Sequence, residues 1–469
     1  MKSRFLRTFA LFSTFMMTIP ALAWADDAAQ AAATIDTGDT SWVLISAALV
    51  MLMTLPGLAL FYGGLSRKKN VLSTIMYSFF AMVIISLQWP LWGYSLSFGP
   101  DINHIIGSLD WFGLSNVGID PNPDYGATIP HQAFMIFQMM FAIITPALIS
   151  GAFAERMRFP AFIAFLLLWA TFVYDPVAHW VWGVDGWLRN LGALDFAGGT
   201  VVHILSGVSG LVACLVLGKR KGLGSEPMIP HNLPFVVLGA ALLWFGWFGF
   251  NAGSALGANG LAVSAFVVTH LATAAAAFSW VVAEWLHHGK PTTLGAASGA
   301  VAGLVAITPA AGFVGPMPAI LIGLISGVVC YLMVSVVKAK LRYDDALDAF
   351  GIHGIGGTWG AIATGLFAST AVNPAGGDGL FFGNPEQLVN QLIAVAVTWG
   401  VAIVGTYVIL KVINLFSKLR ATDEEQDTGL DFTQHGEDAY TDLVSGSTLA
   451  AFAAVPAAKA TAGAVKPAL

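Results

Sequence analysis

Two histidines lie alone in the most apolar parts of this sequence. His203 lies in the run VVHIL at 201–205, and His353 lies in FGIHGI at 350–355. An ionisable side chain at bilayer depth costs on the order of several kcal/mol, so it is retained mainly where it faces a cavity or a pathway. A neutral imidazole donates one hydrogen bond and accepts another without carrying charge. The two residues therefore predict a pore for a small, uncharged polar solute.

The same histidines have two alternative interpretations. Each could be a core residue whose ring donates to a backbone carbonyl, or the pair could bind zinc. A zinc site needs three or four ligands, and no carboxylate or cysteine accompanies the histidines at a suitable spacing. We therefore favour the pore and expect neither a metal nor a cofactor.

A second group of residues could bind a small cation. Phe137 and Phe141 are four residues apart and share one face of a helix. Further aromatic residues crowd two other segment ends: Trp180 and Trp182, and Trp244, Trp247, Phe248 and Phe250. Aromatic faces attract a cation by about 0.5–2 kcal/mol, and the hydroxyl of Ser254 can accept one of its protons. The alternative is ordinary anchoring of tryptophan at the membrane interface.

The composition is that of a membrane protein. Of 469 residues, 57% are hydrophobic and 10% are charged, whereas soluble domains carry about 25% charged residues. The net charge of -6 argues against nucleic-acid binding. Cys214 and Cys330 are isolated in apolar runs, where a free thiol behaves as a small hydrophobe.

The N-terminus has the features of a secretory signal. Lys2, Arg4 and Arg7 precede an apolar run at 9–19, which is followed by small residues at 23–25. Such a run is too short to span a membrane. We predict a signal peptide at 1–25 and a mature N-terminus outside the cell.

Eleven further apolar segments are long enough to cross about 30 Å of hydrocarbon as helices. They lie at 42–62, 71–98, 129–153, 159–181, 196–217, 233–251, 261–285, 294–311, 319–337, 350–368 and 388–416. Lysine and arginine collect in every second loop, as in cytoplasmic loops. The predicted fold is an all-α membrane protein of eleven transmembrane helices within 26–420, with the N-terminus outside and the C-terminus inside.

Eleven helices divide into five plus five plus one. A duplicated half with an odd number of spans inserts upside down, which gives an inverted repeat. His203 lies on the fifth segment and His353 on the tenth, so the repeat symmetry would bring them together near the midplane. Glycines four residues apart, at 295, 299 and 303 and at 323 and 327, predict close helix packing.

The C-terminal region changes character after residue 420. Residues 421–442 are acidic and polar, which suggests a cytoplasmic regulatory tail. Residues 443–469 are rich in alanine, and we predict that they are disordered.

Three sequence runs carry a family resemblance. PGLALFYGG at 56–64, GALDFAGGTVVH at 192–203 and GWFGFNAGS at 246–254 resemble the ammonium transporter (Amt) family, and the similarity extends over about 42–440. The resemblance implies a homotrimer in the cytoplasmic (inner) membrane, with one pore in each subunit. It implies a transporter of ammonium and ammonia, not an enzyme.

The resemblance also implies roles for individual residues. Ammonium would be recruited by Phe141, Trp182 and Ser254, and the gate would be Phe137 or Phe141 stacked on Phe250. His203 and His353 would line the pore, with Asp195 and Trp247 as structural residues near the entrance. For Asp195, the residues themselves favour capping of a helix N-terminus.

Two features depart from or extend this pattern. Asp175 and His270 are not positions associated with the family. The tail segment 429–438 resembles the region linked to docking of PII-type regulatory proteins, so an ammonium sensor that signals through such a partner is an alternative function. An intramembrane metalloenzyme is a further alternative, whereas the lack of a GxxxxGK[ST] loop argues against an ATP-driven pump.

The expected mechanism follows from the energy of charge burial. Moving a bare ammonium ion into an apolar lumen costs on the order of tens of kcal/mol in the ideal limit, which an aromatic cage cannot offset. We therefore expect ammonium to lose its proton near the phenylalanine gate and to cross as ammonia.

Overall fold

The computed structural model describes residues 34–440, and residues 35–440 fall within one compact unit. The predicted signal peptide at 1–25 and the alanine-rich stretch at 443–469 lie outside the described residues, as do the last two residues of the predicted tail.

Long helices dominate the described part of the chain. The principal ones are α1 (Thr37–Leu65), α2 (Lys68–Phe98), α3 (His131–Phe153), α4 (159–182), α5 (Gly199–Leu217), α6 (Leu233–Ala252), α7 (Gly260–His288), α8 (Thr293–Ile307), α9 (Pro316–Leu341), α10 (350–367) and α11 (Pro385–Phe416). Each predicted segment overlaps one of them.

Their length and composition identify a multi-pass membrane protein. Nine of the helical segments in residues 34–440 are long and apolar enough to cross a bilayer. The segment containing α8 is apolar but shorter, and α10 is not among the nine. The prediction of eleven crossings therefore remains a prediction.

The long connection between α2 and α3 is not helical throughout. Strand β1 (Asp101–Ile102) pairs antiparallel with β2 (Ile106–Gly107), and β3 (Pro121–Asn122) pairs antiparallel with β4 (Gly126–Pro130). The all-α prediction misses these short hairpins because strands of two to five residues leave no clear periodic pattern.

Glycine allows α8 and α9 to pack closely against α7. A Cβ atom on Gly303 would lie 2.7 Å from the carbonyl oxygen of Ala272, and one on Gly323 would lie 2.2 Å from that oxygen. On the same face, a Cβ on Gly327 would meet the carbonyl oxygen of Ala276 at 2.3 Å. The four-residue glycine spacing thus marks helix contacts, as predicted.

Residues 421–440 fold against one end of the bundle, here named the tail face; the opposite end is the far face. The carboxylate of Asp431 accepts hydrogen bonds from the backbone N–H groups of Leu72 and Ser73, at 3.0 and 2.7 Å, and so caps the start of α2. The N–H of Leu430 donates to Asn70 Oδ1 at 2.8 Å. The predicted tail is therefore packed on the bundle up to residue 440.

Buried ion pairs hold the loops of the tail face together. Arg220 donates to both carboxylate oxygens of Asp344, and Arg156 Nη1 lies 3.7 Å from the same carboxylate. Arg67 Nε lies 2.5 Å from Glu155 Oε2. Because these side chains are largely buried, several of the basic residues that indicated orientation are also structural.

Candidate transport pathway

The two solitary histidines meet inside the bundle. The Nδ1 atoms of His203 and His353 lie 3.2 Å apart, and their rings are stacked at 25° with centroids 5.3 Å apart. Both side chains are buried. A hydrogen bond between two Nδ1 atoms requires that one of two neutral rings carries its proton on Nδ1 and the other on Nε2. The outward-facing Nε2 atoms then comprise one acceptor and one donor.

Matched backbone structures position the histidines. His203 lies in the wide π-helical turn Gly199–Ile204 that opens α5, and His353 lies in the π-helical turn Phe350–Gly354 that opens α10. Both helices start only a few residues before the histidine. The fifth helix begins at residue 199 and not at the predicted residue 196. The reason is that Gly198 adopts a left-handed conformation, with φ of 112°, which a helix does not continue through.

An aspartate caps each of these helix starts. Asp195 accepts backbone hydrogen bonds from Gly198 and Gly199 at 2.8 and 2.6 Å, and its other oxygen accepts from Thr200 at 2.8 Å. Asp345 accepts from the N–H groups of residues 349 and 350 at 3.1 and 2.8 Å. Each carboxylate satisfies helix N–H groups that otherwise lack a partner.

A cavity of about 430 Å³, here named cavity A, opens near the far face. It is lined by Phe141, Trp182 and Ser254, the three residues of the predicted recruitment site. The indole N–H of Trp182 donates to the carbonyl oxygen of Asp195 at 2.9 Å, which fixes the ring. The hydroxyl of Ser254 donates to the carbonyl oxygen of Phe250 at 2.9 Å, so its own oxygen remains available as an acceptor.

Two phenyl rings close the inner side of cavity A. The ring centroids of Phe141 and Phe250 lie 4.3 Å apart. Phe137 instead packs edge-on against Phe141, at 5.0 Å and 76°, and is fully buried. Of the two alternatives for the gate, the geometry favours Phe141 as the partner of Phe250.

Two smaller cavities continue from the gate towards the tail face. Cavity B, about 10 Å³, is lined by both histidines together with Phe250, Trp247 and Phe61. Cavity C, about 130 Å³, is lined by Phe61 again, and by polar residues that include Glu284, Ser298, Ser335 and Asp348. The lining residues order the cavities. Phe141 lines cavity A, Phe250 lines cavity B, and their rings are in contact, so this pair lies between A and B. Phe61 lines both B and C and so lies between them.

The sequence is similar to those of known ammonium transporters. A model of the Ammonium Transporter Family matches residues 41–440. The chain is 60% identical over 406 residues to a Bacillus subtilis ammonium transporter, a match that covers 86% of this chain and 99% of that one.

The chain belongs to the ammonium transporter family.

Solved structures share the fold. Saccharomyces cerevisiae Mep2 superposes with a TM-score of 0.78 at 40% identity, covering 83% of this chain and 89% of that one. A structure described as a sensor Amt protein gives a TM-score of 0.78 at 30% identity, covering 85% and 98%. The Bacillus subtilis relative is thus named as a transporter, whereas the last structure is named as a sensor.

Three other residues singled out from the sequence do not line cavity A of this ammonium transporter. Trp247 is deeper than expected: it lines cavity B, stacks on His203 at 5.3 Å and donates to Thr308 Oγ1 at 2.9 Å. Asp175 is fully buried and accepts from Gln88 Nε2 at 2.8 Å. His270 is exposed at the bundle surface, as expected for a residue outside the pore.

Sequence reasoning missed two residues of the site. Asp345 precedes His353 by eight residues, as Asp195 precedes His203, so the repeated Asp-x7-His spacing was a usable signal. Gln138 lines cavity A, and its buried Oε1 has no hydrogen-bond partner among the described residues. A lone glutamine between two phenylalanines gave no comparable signal.

Proposed function

We propose that the protein carries ammonium across the membrane by recruiting the ion in cavity A and conducting ammonia past His203 and His353. Phe141, Trp182 and Ser254 would hold the ion by aromatic faces and a hydroxyl acceptor. Ammonium would give up its proton to solvent in cavity A, next to the contact of Phe141 with Phe250, and ammonia would take up a proton from solvent in cavity C. The single observation that carries this proposal is the direct contact of two buried imidazoles between a large cavity and a small one.

Energetics supports removal of the proton. Cavity B has room for about one small molecule, and its lining apart from the histidines is apolar. A cation there would face a desolvation cost far above the roughly 2 kcal/mol that one aromatic ring supplies. Ammonia avoids that cost, and it can both donate to and accept from the two Nε2 atoms.

The wider arrangement proposed for the protein is a homotrimer in the cytoplasmic (inner) membrane, with eleven crossings in each subunit. The N-terminus would be outside and the tail face inside, so cavity A would open to the outside. The repeated cap supports the inverted five-plus-five repeat: Gly198 and Asp348 each follow a capping aspartate by three residues, and both have positive φ, at 112° and 63°.

The tail provides the proposed site for a PII-type regulatory partner. It packs against the start of α2 and the loops after α3 and α5, so a protein bound to it would contact the inner mouth. The alternative function, an ammonium sensor acting through such a partner, is favoured by the similarity to a structure described as a sensor Amt protein. Transport and sensing can be distinguished by experiment, because only transport requires a net flux of ammonium through the protein.

Purified protein in proteoliposomes tests the proposed function. An inward gradient of ammonium chloride should change the internal pH, reported by a trapped dye, much faster than in protein-free vesicles, and labelled methylammonium should accumulate. If the internal pH changed at the same rate with and without protein, transport would be contradicted. If the purified protein nevertheless bound ammonium, that result would favour a sensor.

A further inference from the structure

A buried histidine outside the pore has two hydrogen-bond acceptors beside its ring, and within residues 34–440 no side chain donates to it. His179 lies on α4 and is fully buried. Its Nε2 lies 2.9 Å from the carboxylate oxygen Oδ1 of Asp101, and its Nδ1 lies 3.1 Å from the backbone carbonyl oxygen of Ser97. Neither partner atom can donate when Asp101 is ionised.

The hydrogen-bond geometry therefore defines the protonation state. A neutral imidazole carries one proton, so one of its nitrogens would face an acceptor with a lone pair. With Asp101 ionised, both contacts are satisfied only if His179 carries protons on both nitrogens. Desolvation raises the pKa of Asp101, but hydrogen bonds from His179 and from the backbone N–H of His104 outweigh it and hold the pKa below its ordinary value.

This pair connects two parts of the wall around cavity A with the connection that follows α2. Ser97 is followed by Phe98, which lines the cavity at the end of α2. Trp182 follows His179 on α4 by one helical turn and also lines the cavity. Asp101 belongs to β1, the first strand of the connection that follows α2. Through these two hydrogen bonds, His179 links the end of α4 to the end of α2.

We propose that His179, held as an imidazolium by Asp101, is a positioning residue that sets the distance between Phe98 and Trp182 in the ammonium-recruiting cavity. This inference rests on the proposed function of cavity A. His179 itself does not line the cavity, so it acts through the two aromatic residues. The two side chains are held in one geometry, because separating them would leave each charge desolvated and without its partner.

Few other charged groups surround the pair. Asp175 lies one turn earlier on α4, where it is hydrogen-bonded to Gln88. His104 lies on the connection after α2, with Nδ1 3.4 Å from Asp101 Oδ2.

Beyond the end of α4 are Asp185, whose carbonyl oxygen is hydrogen-bonded to His104, and Arg189, which donates to the carbonyl oxygen of Trp182. Tyr125 meets this segment through the N–H of residue 184. Among the charged groups of the described residues, Asp101 alone is hydrogen-bonded to the His179 ring.

Uptake kinetics of labelled methylammonium in proteoliposomes test the positioning role. We expect Asp101→Asn and His179→Gln each to raise KM by roughly tenfold, the scale of one lost charged hydrogen bond, with a smaller change in kcat. The double variant should be no worse than the poorer single variant, because either change breaks the pair. Asp110→Asn, an exposed carboxylate of the same connection, is the matched control and should leave KM unchanged.

The protonation state is observed directly by ¹⁵N NMR of histidine-labelled protein in liposomes at pH 8. The wild type should show a doubly protonated histidine, and that signal should be missing in His179→Gln and in Asp101→Asn. Its absence from the wild type, or unchanged KM values in both single variants, would overturn the inference. Failure of the proposed function is distinguishable, since wild-type protein would then show no uptake while the NMR signal persisted.

Discussion

The Nδ1 atoms of His203 and His353 lie 3.2 Å apart, although 150 positions separate the two residues in the chain. The contact fixes opposite tautomers on the two neutral rings and leaves Nε2 of each ring for a solute. Nε2 of His203 is buried and has no partner among the described residues. An unpaired buried polar atom costs roughly 1–3 kcal/mol, which a hydrogen bond to passing ammonia would recover.

Replacement of Phe141 should affect selectivity more than replacement of Phe137. Phe141→Ala removes the ring that contacts Phe250 at 4.3 Å, so cavities A and B would join. We expect the ratio of methylammonium to ammonium flux to rise by roughly tenfold, the scale of steric discrimination of a methyl group. Phe137→Ala should leave this ratio within about twofold, since that ring contacts Phe141 from the side. Equal effects of the two substitutions in proteoliposome flux assays would disprove the assignment of the gate.

The two capping aspartates should contribute to stability by similar amounts. Asp195→Ala and Asp345→Ala each leave at least two helix N–H groups without their acceptor. We expect each to cost about 1–2 kcal/mol, visible as a lower midpoint of thermal unfolding in detergent. Asp110→Ala, in an exposed loop, serves as the control. A change in only one of the two variants would argue against equivalent roles in a repeat.

Gln138 should contribute to binding in cavity A. Its buried Oε1 has no hydrogen-bond partner among the described residues, so it is available to accept a hydrogen bond from ammonium. Gln138→Leu should raise the KM for methylammonium by about fivefold to tenfold, the scale of one hydrogen bond to a charged group. Gln132, exposed on the same helix, provides the control variant Gln132→Leu. If both variants kept the wild-type KM, Gln138 would have no place in the recruitment site.

The ion pairs of Asp344 should be insensitive to mild acid. Burial raises the pKa of Asp344, but the guanidinium groups of Arg156 and Arg220 outweigh it and hold the pKa below its ordinary value. A carboxylate with a lowered folded-state pKa contributes stability that is present above the unfolded value, near 3.9, and is lost only as pH falls through the lower folded value. The contribution should therefore be constant from pH 8 to pH 5.

Thermal unfolding of Asp344→Asn measures this contribution. Breaking a buried pair leaves the guanidinium groups unpaired and should cost roughly 3 kcal/mol. The midpoint should fall by the same amount at pH 8, 6.5 and 5 relative to the wild type. A difference that shrinks towards pH 5 would mean that Asp344 already takes up a proton in that range, against the sign of the shift.

The sequence alone was sufficient to identify the two histidines, because their neighbours in the chain are apolar. A histidine within an apolar run is conspicuous wherever the fold places it, and the resemblance supplied Phe141, Trp182 and Ser254 as a set. All three line one cavity. The helices were predictable because long apolar segments in a membrane protein have few alternatives to the helix.

What the sequence could not supply was geometry across helices. Phe137 and Phe141 share a helix face, so their spacing alone cannot tell which ring reaches Phe250 on α6. The start of α5 was placed too early because residues 196–198 are as apolar as the helix, whereas the left-handed Gly198 delays it. The sequence likewise could not predict how far Trp247 lies from the entrance, because that position is defined by its contact with His203 on another helix.

The most direct test of the central claim is the ratio of ammonium to potassium flux in proteoliposomes containing His203→Ala or His353→Ala. If uncharged ammonia crosses by bonding to the paired imidazoles, each substitution should lower this ratio at least about tenfold, the scale of a lost polar contact that cannot be replaced in an apolar lumen. His203→Gln, which keeps a donor and an acceptor, should lower it less. Unchanged selective flux in both alanine variants would contradict the account.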